Sequence, residues 1–296
     1  MPPNVTRACI LVFSLAALSG CASAFRHSNG MVPGPSGAVA AVPLSHGRVA
    51  VLAGSDDAKA VFVIDLDSGR IKQSFGVTRE ATGLAAETPE GPVLVSVGGH
   101  TPDGKSVGSV ERWSLTGEKQ QVVPMPAPAL GLTQAVDGTL FVLVGDDKAK
   151  AAIALSTPAL GVGTTVPLDA DDSYIALCRV GANAMLVYSG EHSPITARIM
   201  DSGQLIHSAI VGASPTCIEG DPRIYAISKG FTSRSVVVLT VPDMAQVAAI
   251  PASSDVRTLY PGEDRTLLAL NASSSASNIQ QFGHDKLSQA NEATPH

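Results

Sequence analysis

The sequence predicts an all-β fold: a β-propeller of six blades, each of four antiparallel strands and about 43 residues. Three observations lead there. Short apolar segments closing on small residues recur at near-constant spacing, hairpins with tight turns follow them, and no long 3.6-residue hydrophobic period intervenes.

The recurring segments are RVAVLAG (48–54), PVLVSVGG (92–99), TLFVLVG (139–145), AMLVYSG (184–190), RIYAISKG (223–230) and TLLALNA (266–272). Aligned at Val49, Val93, Leu140, Met185, Ile224 and Leu267, they are spaced by 44, 47, 45, 39 and 43 residues. They are apolar on both sides, which suits sheets packed between two neighbours. After the first comes AVFVIDLDSGRIKQSF (60–75), a strand, an Asp-Ser-Gly turn and a strand, where Gly69 supplies the positive φ the turn wants. The pattern returns as VERWSLTGEKQQVV (110–123) with Gly117 and ARIMDSGQLIHSAIV (197–211) with Gly203. Weaker copies are AAIALSTPALGVGTTV (151–166) and SVVVLTVPDMAQVAAI (235–250). A first strand opens each unit, as in GAVAAVPL (37–44), ALGLTQAV (129–136) and YIALCRV (174–180).

The 259 residues from Ala38 to His296 fit six such units. The propeller is expected over 38–290, with a disordered tail at 291–296. In the sixth unit NIQQFGHDKLSQA (278–290) makes a poor final strand, so an N-terminal strand is expected to complete it. Trp113 stands alone in a strand and reads as core.

Ahead of the repeats, residues 1–20 read as a secretory signal: one basic side chain before an apolar run, Ala8 to Leu18, then small residues. The run is shorter than the roughly 20 residues a membrane-spanning helix needs. The order Leu18-Ser19-Gly20-Cys21 resembles the bacterial lipobox, which implies cleavage before Cys21 and lipidation of that cysteine. Several acyl chains would anchor the protein firmly, at about 0.8 kcal/mol per buried CH₂. Ala22 and Ser23 follow rather than an inner-membrane-retaining Asp, so the expected location is the bacterial outer membrane, facing the periplasm. Residues 21–37, rich in Gly, Pro and Ser, read as a flexible tether.

Loss of residues 1–20 removes one of 20 basic side chains and leaves 19 against 26 acidic ones, a net charge of about −7. That excludes a nucleic-acid partner, whose phosphates demand a basic footprint. The expected partners are the membrane, through lipid on Cys21, and other envelope proteins.

The phrase VFVIDLDSGRIKQSFGV (61–77) resembles the YVTN-type propeller repeat in Ile64-Asp65, Ser68-Gly69 and Arg70. Ser114, Gly117 and Lys119 echo it in the second unit. The resemblance implies the architecture and an exported protein, not a chemistry. No nucleophile elbow, phosphate loop, dinucleotide fingerprint, H-E-x-x-H or C-x-x-C motif is present.

One constellation emerges from the alignment. Seven places after the anchors stand Asp56, His100, Asp147, His192, Phe231 and Ser274, in loops that open on one propeller face. Asp and His are metal ligands and proton carriers. Equivalent loops of different blades, however, stand on the order of 10 Å apart, against metal–ligand bonds near 2 Å. Asp56, His100, Asp147 and His192 therefore read as turn residues forming a loop-face ligand surface. No catalytic residue, metal site or cofactor is assigned. Cys178 and Cys217 occupy one slot in the first strands of units four and five. An oxidising compartment favours a bridge, but neighbouring first strands come within the required Cα distance only near the axis. Both states stay open, and the reading leans to free thiols. Two functions follow: a lipid-anchored, non-enzymatic binding or scaffold module, which is expected, and an exported lactonase-like enzyme or metal-binding propeller using the loop-face Asp and His residues.

Overall fold

A computed structural model describes residues 31–100, 106–190, 193–229, 234–262, 265–272, 277–283 and 287. Its strands form six four-stranded antiparallel sheets, the expected six-bladed propeller. The chain enters through β1 (Met31–Gly34). Blade one runs outward as β2 (Ala38–Leu44), β3 (Arg48–Gly54), β4 (Lys59–Asp65) and β5 (Arg70–Val77). Blade two is β6 (Ala81–Ala86), β7 (Val93–His100), β8 (Ser106–Trp113) and β9 (Lys119–Pro124). Blade three is β10 (Ala129–Leu132), β11 (Thr139–Gly145), β12 (Lys150–Ser156) and β13 (Gly161–Leu168). Blade four is β14 (Asp172–Val180), β15 (Asn183–Gly190), β16 (Pro194–Ile199) and β17 (Leu205–Val211). Blade five is β18 (Ala213–Cys217), β19 (Arg223–Lys229), β20 (Arg234–Thr240) and β21 (Gln246–Ala252). The chain's last strands are β22 (Val256–Pro261), β23 (Leu267–Ala272) and β24 (Ser277–Phe282), and β1 completes blade six in the order β22-β23-β24-β1.

That closure confirms the N-terminal strand and corrects the tether. Met31 pairs with Gln280 and Gly34 with Ser277, and Val32 is buried. Residues 31–34 thus belong to the propeller although the expected tether ran to 37. Pro33 is tolerated because β1 lies on an outer sheet edge. The innermost strands touch in order around the ring, and β2 meets β22 to close it.

The anchors Val49, Val93, Leu140, Met185, Ile224 and Leu267 all lie in second strands and are buried. Packing between neighbours on both sides makes these strands continuously apolar. In blade one Gly69 takes φ 64°, its N–H donates to the Asp65 carbonyl (2.8 Å), and the Ser68 N–H donates to the Asp65 carboxylate (2.8 Å). The weaker copies build the same turn differently. After cis Pro158 and cis Pro242, Leu160 and Met244 each take φ 54° and bury their side chains.

Trp113 is core, as expected: it packs against Phe75 of blade one, and its Nε1–H donates to buried Glu111 (3.0 Å). The expectation of free thiols is overturned. Cys178 of β14 and Cys217 of β18 form a disulfide with Cα atoms 5.5 Å apart. Innermost strands of adjacent blades converge near the axis, which brings the shared slot within bonding reach.

Candidate functional site

The six innermost strands enclose an axial channel of about 710 Å³, within the ~300–1,000 Å³ usual for small-molecule sites. Its two mouths differ in chemistry because of where each first strand begins and ends.

At one mouth every first strand carries a register shift against its second strand. The residues skipped are Val39, Thr82, Leu130, Ser173, Ser214 with Pro215, and Arg257. Such bulges re-aim a side chain away from the sheet. Thr82 and Ser214 turn to the next blade: the Thr82 hydroxyl donates to the Ala129 carbonyl (2.7 Å), and the Ser214 hydroxyl accepts from the Leu259 N–H (2.9 Å). Val39 and Leu130 stay uncovered, 39% and 36% exposed, where they line the channel. Blades two and three approach too closely here for any side chain on Gly98, whose Cβ would meet the Ala129 oxygen at 2.2 Å.

The other mouth is ionic. Asp137, in the β10–β11 turn, pairs with Arg179 at the end of β14 (2.5 Å). Glu87, Glu219 and Arg265 also line this end, and Glu87 is held by Arg112 (2.5 Å). Between the mouths the wall is more apolar than polar: Leu132 and Ile175 are partly exposed there beside Thr82, Thr258 and Tyr260, while Leu84 and Leu259 are buried between blades. Burial pushes the wall residue Tyr260 up to about 12, so its phenol is neutral.

The loop-face residues sit beside the apolar mouth but off the channel. Ends of second strands meet the starts of first strands: the Gly54, Gly98 and Gly145 N–H groups donate to the carbonyls of Gly37, Glu80 and Pro128 (3.0–3.1 Å). Asp56, His100 and Asp147 therefore share that face, each exposed on its own blade. Cys21 and His192 lie outside the described residues. No group of three His, Cys, Asp or Glu side chains positioned to hold a metal occurs among the described residues. Asp146, beside Asp147, is a turn residue: its carboxylate accepts the Lys148 (2.8 Å) and Ala149 (3.1 Å) N–H groups, which lower its pKa.

One buried aspartate, Asp221, was missed in the sequence: it is held by Arg223 and Tyr225. Asp172, read from the sequence as a loop-face residue, is buried and makes no ion pair among the described residues. The channel's bulged residues were missed as well, although a signal exists. Ala38-Val39-Ala40, Ala81-Thr82-Gly83 and Ala129-Leu130-Gly131 share one frame, a larger residue between two small ones.

No family model matches the chain, and no curated protein matches it. Solved structures do resemble it. The β-propeller domain of Myceliophteria thermophila Cps50 (Swd1) superposes with a TM-score of 0.54 at 10% identity, over 83% of this chain and 96% of that one. Kuenenia stuttgartiensis hydrazine synthase matches at 0.55 and 11%, over 82% and 95%. A glucose dehydrogenase matches at 0.58 and 14%, over 86% and 99%. Identities this low establish the propeller fold and leave the function open.

Proposed function

We propose that the protein is a lipid-anchored propeller of the bacterial outer membrane that acts as a non-enzymatic binding or scaffold module for an envelope ligand or assembly. The observation that supports this reading is the distribution of polar chemistry. Three of the four buried carboxylates, Asp221, Glu111 and Glu87, are paired with Arg223, Lys119 and Arg112 of their own blades, and Asp172 is the exception among the described residues. Asp56, His100 and Asp147 stand exposed and apart. A catalytic centre needs an acid, a base or a nucleophile converging on one reacting atom. A binding module needs only a shaped ring face and a channel.

The anchor is tested by Cys21→Ser, followed by membrane fractionation and N-terminal mass analysis. The variant is expected to lose lipid and to leave the outer-membrane fraction. An unchanged N-terminus and fractionation would remove the anchor from the proposal. Copurification from detergent-solubilised membranes tests the scaffold role and should return a stoichiometric envelope partner. A stoichiometric metal, lost on Asp147→Ala with His100→Ala, would instead favour the lactonase-like or metal-binding reading.

A further inference from the structure

From the polarity of the channel we infer that it is a binding site for a neutral amphiphile, with the alkyl chain along the apolar wall and a hydroxylated head at the ionic mouth. The inference goes beyond a scaffold role and stands or falls separately from it, because partner copurification does not read channel occupancy.

Three observations carry it. The first is the wall: Leu132 and Ile175, both partly exposed, line a cavity of about 710 Å³, and water solvates such apolar surface poorly. The second is the pair of exposed side chains at the bulged mouth. Val39 and Leu130 are each placed there by a register shift, in blades one and three, while the equivalent Thr82 of blade two, between them, is occupied by its bond to Ala129. They prolong the apolar wall to the mouth. The third is charge balance at the opposite mouth. Among the described residues, Glu87, Asp137 and Glu219 stand against Arg112, Arg179 and Arg265. A head of either sign would lose water there without a surplus of opposite charge. A hydroxylated head both donates to the carboxylates and accepts from the guanidinium groups.

An innermost strand such as β6, with six residues, is about 20 Å long at ~3.3 Å per residue. A dodecyl chain therefore runs most of the way between the mouths.

The test uses the full chain in its Cys21→Ser form, purified without detergent, and titration calorimetry with probes below their micelle concentrations. Dodecyl maltoside is expected to bind one per chain, and dodecanoate and dodecylamine at least about tenfold more weakly. Maltose alone should give no heat at the same concentration. Each methylene buried adds roughly fourfold to affinity, so decyl maltoside should bind on the order of tenfold more weakly than dodecyl. Val39→Glu and Leu130→Glu, at exposed positions, should keep the melting temperature and weaken the dodecyl probe at least tenfold. Arg265→Gln leaves the collar one charge negative and should move the preference toward dodecylamine. Cosedimentation with phosphatidylcholine vesicles bearing a neutral glycolipid, lost in Leu130→Glu, supports the site with membrane lipid as its source. Binding confined to the monomeric probe supports it with a free amphiphile. No binding by any dodecyl probe overturns the inference, as does binding of maltose equal to that of dodecyl maltoside, or indifference to Leu130→Glu. Equal binding of all three head groups overturns the neutral head.

Discussion

Blades four and five are joined by a disulfide, yet each handles a buried aspartate in the opposite way. Asp172 is 4% exposed and Asp221 is 5% exposed. Burial pushes the Asp221 pKa up, but two hydrogen bonds from Arg223 (2.6 Å each) and one from the Tyr225 hydroxyl (2.7 Å) outweigh it and hold the carboxyl below its ordinary range. Asp172 accepts the Asp169 N–H (3.1 Å), which does not offset burial, and its pKa is raised. Equal depth therefore yields opposite electrostatics. What decides is how many donors the local chain brings to the carboxylate, since a buried charge is tolerable only when paired and hydrogen-bonded.

The largest expected effect lies in blade five. Asp221→Ala strands the Arg223 guanidinium and the Tyr225 hydroxyl, both of which the aspartate holds. Breaking a buried pair from one side costs about 3–5 kcal/mol. Arg223 also donates to the Leu287 carbonyl (3.3 Å), so the loss reaches the segment after β24. Urea unfolding of Asp221→Ala should show that drop in stability, and a loss below about 1 kcal/mol would mean the triad is solvated rather than buried.

Next in size is the bond that joins the two blades. Cys178 and Cys217 are 39 residues apart in sequence, and closing a loop of that length is worth about 2–4 kcal/mol. Cys178→Ala with Cys217→Ala should lower the urea midpoint by the corresponding amount, and the reduced wild type should match the double variant. If the reduced protein keeps the oxidised midpoint, packing between β14 and β18 alone holds the blades together.

The sequence revealed the ring more readily than its centre, for physical reasons. Anchors such as Val49 and Leu140 must be apolar on both sides in every blade, so the period is written in side chains. The turn at Asp65–Gly69 was legible because a tight turn with positive φ names its own residue type. The equivalent turns at Leu160 and Met244 were not, since burial of a large side chain there takes the place of glycine. β1 hid behind Pro33 and Gly34, which look like tether until an edge strand is seen to need only one paired side. The bulges at Val39 and Leu130 pass for ordinary alternation, because a register shift is a relation between two strands. The disulfide likewise depends on how near the axis two strands converge, which spacing does not state. Asp56 and Asp147 stand in equivalent loops as expected, whereas His100 ends strand β7 opposite Ser106, and the channel that dominates the structure contains none of the three.

The smallest expected effect has the opposite sign and isolates the comparison. Asp172→Asn keeps an oxygen for the Asp169 N–H and removes the buried charge. A raised folded-state pKa means that Asp172 contributes stability below its ordinary value near 4, and that this is lost as pH rises through the folded value. Relative to wild type, Asp172→Asn should therefore be near neutral in acid and modestly more stable at pH 7. Asp221 runs the other way: its pKa is lowered, so its contribution is present above the ordinary value and fades as pH falls through the folded one. The deficit of Asp221→Asn should accordingly be largest at pH 7 and shrink in acid. Melting curves of the two asparagine variants between pH 3 and 7 read both slopes against one wild type. Parallel slopes would show that the two carboxylates feel the same surroundings after all, and that the hydrogen bonds from Arg223 and Tyr225 do not set the difference between the blades.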